Sequence, residues 1–146
     1  MQRYEHTIYI QAPPSIVWDI WAKPSSASAW SPTFNAAEPL DADELAVGNR
    51  FRLDVRGAGR ASRAQWIVTD VQPGCSFAWS MSASGVRATG HHIVTAEPGD
   101  ASRMQLIVEY SGPMAFLFRP MLARVARRNL PDEAAGLKKC AEAARA

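Results

Sequence analysis

The C-terminal segment, Gly112 to Ala146, constrains this chain most, because it needs a partner surface. It opens on Gly112-Pro113, and Phe118, Met121, Leu122 and Val125 then recur at i, i+3, i+4 and i+7. That spacing is one apolar stripe on a helix. Arg119, Arg124, Arg127 and Arg128 lie opposite it, where solvent is expected. After Pro131 the pattern restarts at Leu137, Cys140, Ala141 and Ala144, turned by roughly a quarter to a third of a circle at ~100° per residue. Proline removes a backbone donor and crowds the preceding turn, so a kink or a break is expected there. Pro131-Asp132-Glu133 also has the composition of a fresh helix start. A long helix rich in Met and Phe needs a concave apolar surface to lie against.

The preceding chain supplies strands for such a surface. His6 to Ile10 alternates, and Ala12-Pro13-Pro14 ends it. Ile16, Val17, Ile20 and Trp21 then mark a short helix begun by proline and stopped at Pro24. Ser25 to Trp30 predicts a second helical turn, closed by Ser31-Pro32. Strands are expected at Phe34–Leu40, Phe51–Val55, Ala64–Val71, Phe77–Ser82, Arg87–Ala96 and Met104–Tyr110. Turns fall at Gly48-Asn49, Gly57-Ala58-Gly59, Pro73-Gly74, Gly85 and Pro98-Gly99-Asp100. In Phe51–Val55, Arg52, Asp54 and Arg56 take the outer face. The faces of Ala64–Val71 do not separate, since Trp66 and Val68 oppose Ile67 and Val71. Short turns between six consecutive strands predict an antiparallel meander. The expected class is α+β in one domain over residues 1–146: a curved seven-stranded antiparallel sheet, two short helices after strand 1, and a long kinked C-terminal helix. Twist and Gly/Pro corners bend a sheet of this size. A helix that closes it without filling it leaves a cavity.

Several function classes are excluded or left without support. A net charge of +2 is too small to imply a nucleic-acid partner. Cys75 and Cys140 show no CxxC and no paired metal spacing, so free thiols are expected, with no metal and no cofactor. Met1 to His6 lacks the apolar core of a signal peptide, and no apolar run reaches the ~18 residues of a membrane span. The expected compartment is the cytoplasm. Phosphate loops, nucleophile elbows and zinc-protease motifs are missing, and Gly57-Ala58-Gly59-Arg60 precedes no helix. Nothing in the residues sets an oligomeric state.

Ile10-Gln11-Ala12-Pro13-Pro14-Ser15-Ile16-Val17-Trp18 resembles the strand-to-helix junction of the START-like SRPBCC superfamily, the helix-grip fold. Trp30-Ser31-Pro32, Phe77-Ala78-Trp79, Ala96-Glu97-Pro98, and Leu137-Lys138-Lys139 with Glu142 match the same pattern more loosely. Bacterial members of this kind are commonly labelled polyketide cyclase/dehydrase-like, and relatives bind lipids, coenzyme Q or plant hormones. The resemblance implies a cavity for a small hydrophobic ligand and no single chemistry.

In that fold Trp30, Phe34, Phe51, Leu53, Trp79, Met81, Tyr110, Met114, Phe118 and Met121 point inward, either lining a ligand cavity or packing a solid core. His91 and His92 are adjacent on a strand, face opposite sides, and cannot chelate one metal together. His92 takes the inward side. It is either a hydrogen-bond partner or general acid/base for a ligand carbonyl, or a buried histidine satisfied by a backbone carbonyl or water. Tyr110 either offers its hydroxyl to a ligand or fills space. Glu109 is expected to face solvent beside a cross-strand arginine. Three functions fit: binding a lipid, polyketide or quinone-like molecule; a polyketide cyclase or dehydratase, with His92 and Tyr110 as catalytic candidates; or a chaperone-activator-like interaction domain.

Overall fold

A computed structural model describes residues 1–57 and 64–145. The expected turn at Gly57-Ala58-Gly59 and Arg60 lies, beyond Gly57, outside the described residues. Strand β1 (Gln2–Ile10) leads into α1 (Pro14–Trp21), a 3-10 turn (Pro24–Ser26) and α2 (Ala27–Trp30). Then come β2 (Phe34–Pro39), β3 (Arg50–Val55), β4 (Gln65–Gln72), β5 (Ser76–Ala83), β6 (Val86–Glu97) and β7 (Ala101–Ser111). The chain ends in α3 (Arg119–Arg145).

The strands form a seven-stranded sheet in the order β1-β7-β6-β5-β4-β3-β2, and every neighbouring pair is antiparallel. Six strands follow as a meander, while β1 crosses to the far edge and pairs with β7, Ile8 opposite Met104. Irregularities between Phe34 and Ala36 and between Val68 and Asp70 add twist where the sheet must curl. The result is a half-barrel around the C-terminal helix.

Alternation chooses the faces. In β3, Phe51 and Leu53 are fully buried and Arg52 is exposed. The two faces of β4, which alternation leaves open, are resolved by the irregularity between Val68 and Asp70: Trp66 and Val68 face the core with Ile67 exposed, and beyond the shift Val71 takes the inward side while Asp70 and Gln72 are exposed. One core cluster joins α1, the strands and the second half of α3 through Val17, Trp21, Phe77, Leu106 and Leu137. A second joins Met81, Ala88, Tyr110, Leu122 and Ala126 nearer the start of α3.

The long C-terminal helix expected from the sequence is present as α3, which runs unbroken through Pro131, so the break offered there beside a kink does not occur. Two expectations change here. Arg56, expected outside, instead grips α3 on both sides of that proline. Its guanidinium donates to Asn129 Oδ1 at 3.0 and 3.2 Å and to Asp132 Oδ2 at 2.7 Å. Asn129 Nδ2 answers by donating to the Arg56 carbonyl at 2.9 Å. These bonds tie the turn that proline weakens to the end of β3, and tertiary contacts override local preference. Glu109 is half-buried and its partner is His91, at 2.7 Å across β6–β7, while Arg3 pairs with Glu5.

Candidate functional site

Sheet and helix do not close on one another. A cavity of about 290 Å3 remains between the concave face and the first half of α3. The strands contribute Phe34, Val55, Trp66, Trp79, Met81 and Leu106, and α3 contributes Met121, Leu122, Val125 and Leu130. Phe118, one residue before the helix, completes that wall.

The two ends differ. At one end His92 and Glu133 are both buried, with His92 Nε2 3.5 Å from Glu133 Oε2. The His92 ring stacks on Phe77 at 4.1 Å, nearly parallel, and meets the edges of Trp21 and Trp79. Its Nδ1 is buried without a partner among the described residues, and so is Nε1 of Trp66. Burying a polar atom without a hydrogen bond costs stability, so these atoms mark positions where a bound group would be welcome. Asn129 and Thr33 also border this end, but each is already engaged: Thr33 Oγ1 donates to the Asn129 carbonyl at 3.0 Å. At the other end Met121 is 45% exposed, so the wall there is also surface. Glu133 lies twelve positions, roughly 18 Å, along the helix from Met121.

Tyr110 lines the cavity beside Tyr4, their rings 6.1 Å apart. Burial, and secondarily the neighbouring Tyr4, push its phenol up to about 12 from 10.0. An unfolded chain releases that proton near pH 10, the folded one only near pH 12. The phenol's contribution is therefore complete below about pH 10 and disappears as pH climbs through about 12, a loss of about 2–3 kcal/mol. Stability measured from pH 9 to 12 is expected to fall less steeply in Tyr110→Phe. Equal slopes would contradict the burial argument.

Seven of the expected residues line this space: Phe34, Trp79, Met81, His92, Tyr110, Phe118 and Met121. Four do not. Phe51 and Leu53 are fully buried in the core, because other side chains and not space face them. Trp30 does not line the cavity and borders instead a void of about 20 Å3 beside His92 and Glu133. Met114 packs over Gly85, where a Cβ would collide with its side chain; Gly85 has φ +77°, so glycine is required twice over. Sequence reasoning missed Trp66 and Glu133. The signal for Glu133 was present: Leu122, Ala126, Asn129 and Glu133 form one continuous buried stripe, and a carboxylate on an apolar stripe needs a reason. Reading a kink or a break at Pro131, with the apolar pattern restarting at Leu137, hid that continuity.

No group of three or more His, Cys, Asp or Glu side chains among the described residues is arranged to hold a metal. No described helix is long and apolar enough to cross a membrane. Cys75 and Cys140 are free.

The model of the family described as polyketide cyclase/dehydrase and lipid transport matches residues 1–142. No curated protein matches the chain. Among solved structures, the Zhui aromatase/cyclase from a Streptomyces species is similar at TM-score 0.78 and 21% identity, over 97% of this chain and 93% of that one. A norcoclaurine synthase point mutant from Thalictrum flavum, in complex with a transition-state analogue, gives TM-score 0.79 at 14% identity, over 99% and 96%. A START superfamily protein from Mycobacterium smegmatis gives 0.73 at 14%, over 96% and 97%. At such identities the structures show a common fold and no common chemistry. The match across nearly the whole chain and the half-barrel closed on its terminal helix agree: this protein has the helix-grip fold and belongs to the polyketide cyclase/dehydrase and lipid-transport family.

Proposed function

We propose that the protein binds a small, mostly apolar molecule, a polyketide, a quinone-like ring or a single lipid chain, with a polar end turned toward His92 and Glu133. One observation carries this reading: the space of about 290 Å3 has apolar walls and two buried ionisable side chains at its inner end. That volume stands at the lower edge of ligand cavities, which favours one or two rings or a short chain over a two-chain lipid. A solid core would need no such pair. Native mass spectrometry of freshly purified protein is expected to show a bound small molecule. Titration with 2-naphthol is expected to quench tryptophan emission, since Trp66 and Trp79 line the cavity. In Phe118→Ala, naphthol affinity is expected to fall about tenfold while stability changes by less than about 1 kcal/mol, because that ring borders space. A ligand-free mass together with no naphthol binding would sink the proposal.

The His92–Glu133 pair supports a second reading, a cyclase or dehydratase. In an aldol-type ring closure a base removes a proton from the carbon beside a carbonyl, and that carbon bonds to a second carbonyl carbon, whose oxygen takes up a proton to become a hydroxyl. Dehydration then removes a second proton from the attacking carbon and protonates the hydroxyl, which leaves as water with a C=C bond formed. On this reading His92 moves these protons and Glu133, 3.5 Å from its Nε2, orients the imidazole. Phe77 and the two tryptophan rings pack against the imidazole and restrict its movement. On this reading His92→Gln keeps naphthol affinity within about threefold and abolishes turnover of a poly-β-ketone chain. Turnover that survives the substitution would leave binding alone.

A further inference from the structure

The cavity opens at an end of the molecule whose surface is both apolar and strongly basic. Phe116 is 82% exposed, Leu117 64% and Met1 90%. They are neighbours in space: β1 begins where β7 ends, and Gln2 Nε2 donates to the Ala115 carbonyl at 2.8 Å. Two adjacent large apolar side chains held outward, next to a methionine that is both surface and cavity wall, are not expected of a face meant only for water.

The charge around them has one sign. Between Glu109 and Asp132 there is no acidic residue, and the same stretch carries Arg119, Arg124, Arg127 and Arg128. All four are exposed and none has an ion pair among the described residues. Arg127 lies over the Tyr4 ring, 5.7 Å from its centre. Arg119 and Arg127 also border an open groove of about 580 Å3 with Tyr4 and Arg3, although Arg3 is compensated by Glu5 at 3.2 Å.

We propose that this end docks on an anionic lipid bilayer, Phe116 and Leu117 entering the interface and the α3 arginines meeting phosphate head groups. Either signal alone gives weak attachment; apolar insertion together with a basic patch is the pairing that holds a protein at such a surface. A free phosphate would use the arginines and leave Phe116 and Leu117 without a role. A second copy seated symmetrically on this patch would set arginine against arginine. Docking in this orientation turns the Met121 edge of the cavity to the bilayer, the phase in which an apolar ligand resides.

The test is co-sedimentation with vesicles of phosphatidylcholine alone and of phosphatidylcholine with about a third phosphatidylglycerol. Binding is expected to be at least about tenfold tighter to the anionic vesicles and to be lost at high salt. Phe116→Ser combined with Leu117→Ser, and separately Arg119→Gln combined with Arg124→Gln, are each expected to weaken it about tenfold or more. All four side chains are exposed, so the thermal midpoint should not move. No binding, equal binding to both vesicles, or binding that ignores either pair would overturn the proposal. A dimer in sedimentation velocity that the Phe116/Leu117 variant abolishes would overturn it too and assign the patch to self-association. The vesicle measurement needs nothing in the cavity, so its failure leaves the ligand-binding reading standing.

Discussion

Phe51→Ala is expected to lower the free energy of unfolding by about 3–5 kcal/mol while leaving naphthol affinity within a few-fold. The ring is fully buried on β3, packed beside Trp79 with centroids 6.0 Å apart, and it borders no part of the cavity. Truncation removes its transfer free energy and leaves a hole that the surrounding sheet cannot collapse, because backbone hydrogen bonds fix β3 between β2 and β4. Guanidinium chloride unfolding is the measurement: the midpoint should drop with an unchanged slope. Phe118→Ala is the opposite case, costing affinity and little stability. A loss below about 1 kcal/mol for Phe51 would mean that the ring faces open space.

That contrast marks how far the residues alone could be read. Alternation in β3, β5 and β7 decides which side chains leave water, and it placed Phe51, Leu53, Trp79, Met81 and Tyr110 on the concave side together. It says nothing of what stands opposite them. Opposite Phe51 and Leu53 are other side chains, which join them in the α1-side cluster. Opposite Met81 and Tyr110 is a helix wall held off far enough to leave room. The difference arises from where α3 sits across the sheet. Its position is set by contacts remote in sequence, Arg56 to Asn129 and Thr33 to the Asn129 carbonyl. The fold was therefore legible from period and turns, and with it seven of the twenty-five residues that line the cavity. The buried Glu133 was not, because the local rule that proline interrupts a helix yielded here to a tertiary clamp.

The same clamp region contains a glycine whose replacement should reverse an ordinary rule. Gly136 lies inside α3, where alanine normally stabilises by about 1 kcal/mol. Here an added Cβ would collide with the Trp30 carbonyl oxygen, well inside van der Waals contact, and would sit 3.2 Å from the carbonyl carbon and 3.4 Å from Pro32 Cδ. The obstruction is backbone, so no side-chain rotation relieves it; either the Trp30-Ser31-Pro32 corner or the helix must move. Moving the helix strains the Thr33 bond to Asn129, and moving the corner shifts Phe34 against Trp79. Gly136→Ala is accordingly expected to destabilise by more than about 3 kcal/mol, a sign opposite to helix propensity and at the upper end of overpacking costs. Ala135→Gly, one position away on the exposed side, should cost only about 1 kcal/mol and serves as the comparison. Denaturant midpoints of both variants against the parent decide the matter. A Gly136→Ala protein as stable as its parent would show that corner and helix are not in contact, and with that the inner end of the cavity, where Glu133 and His92 meet, would lose the packing that keeps it closed.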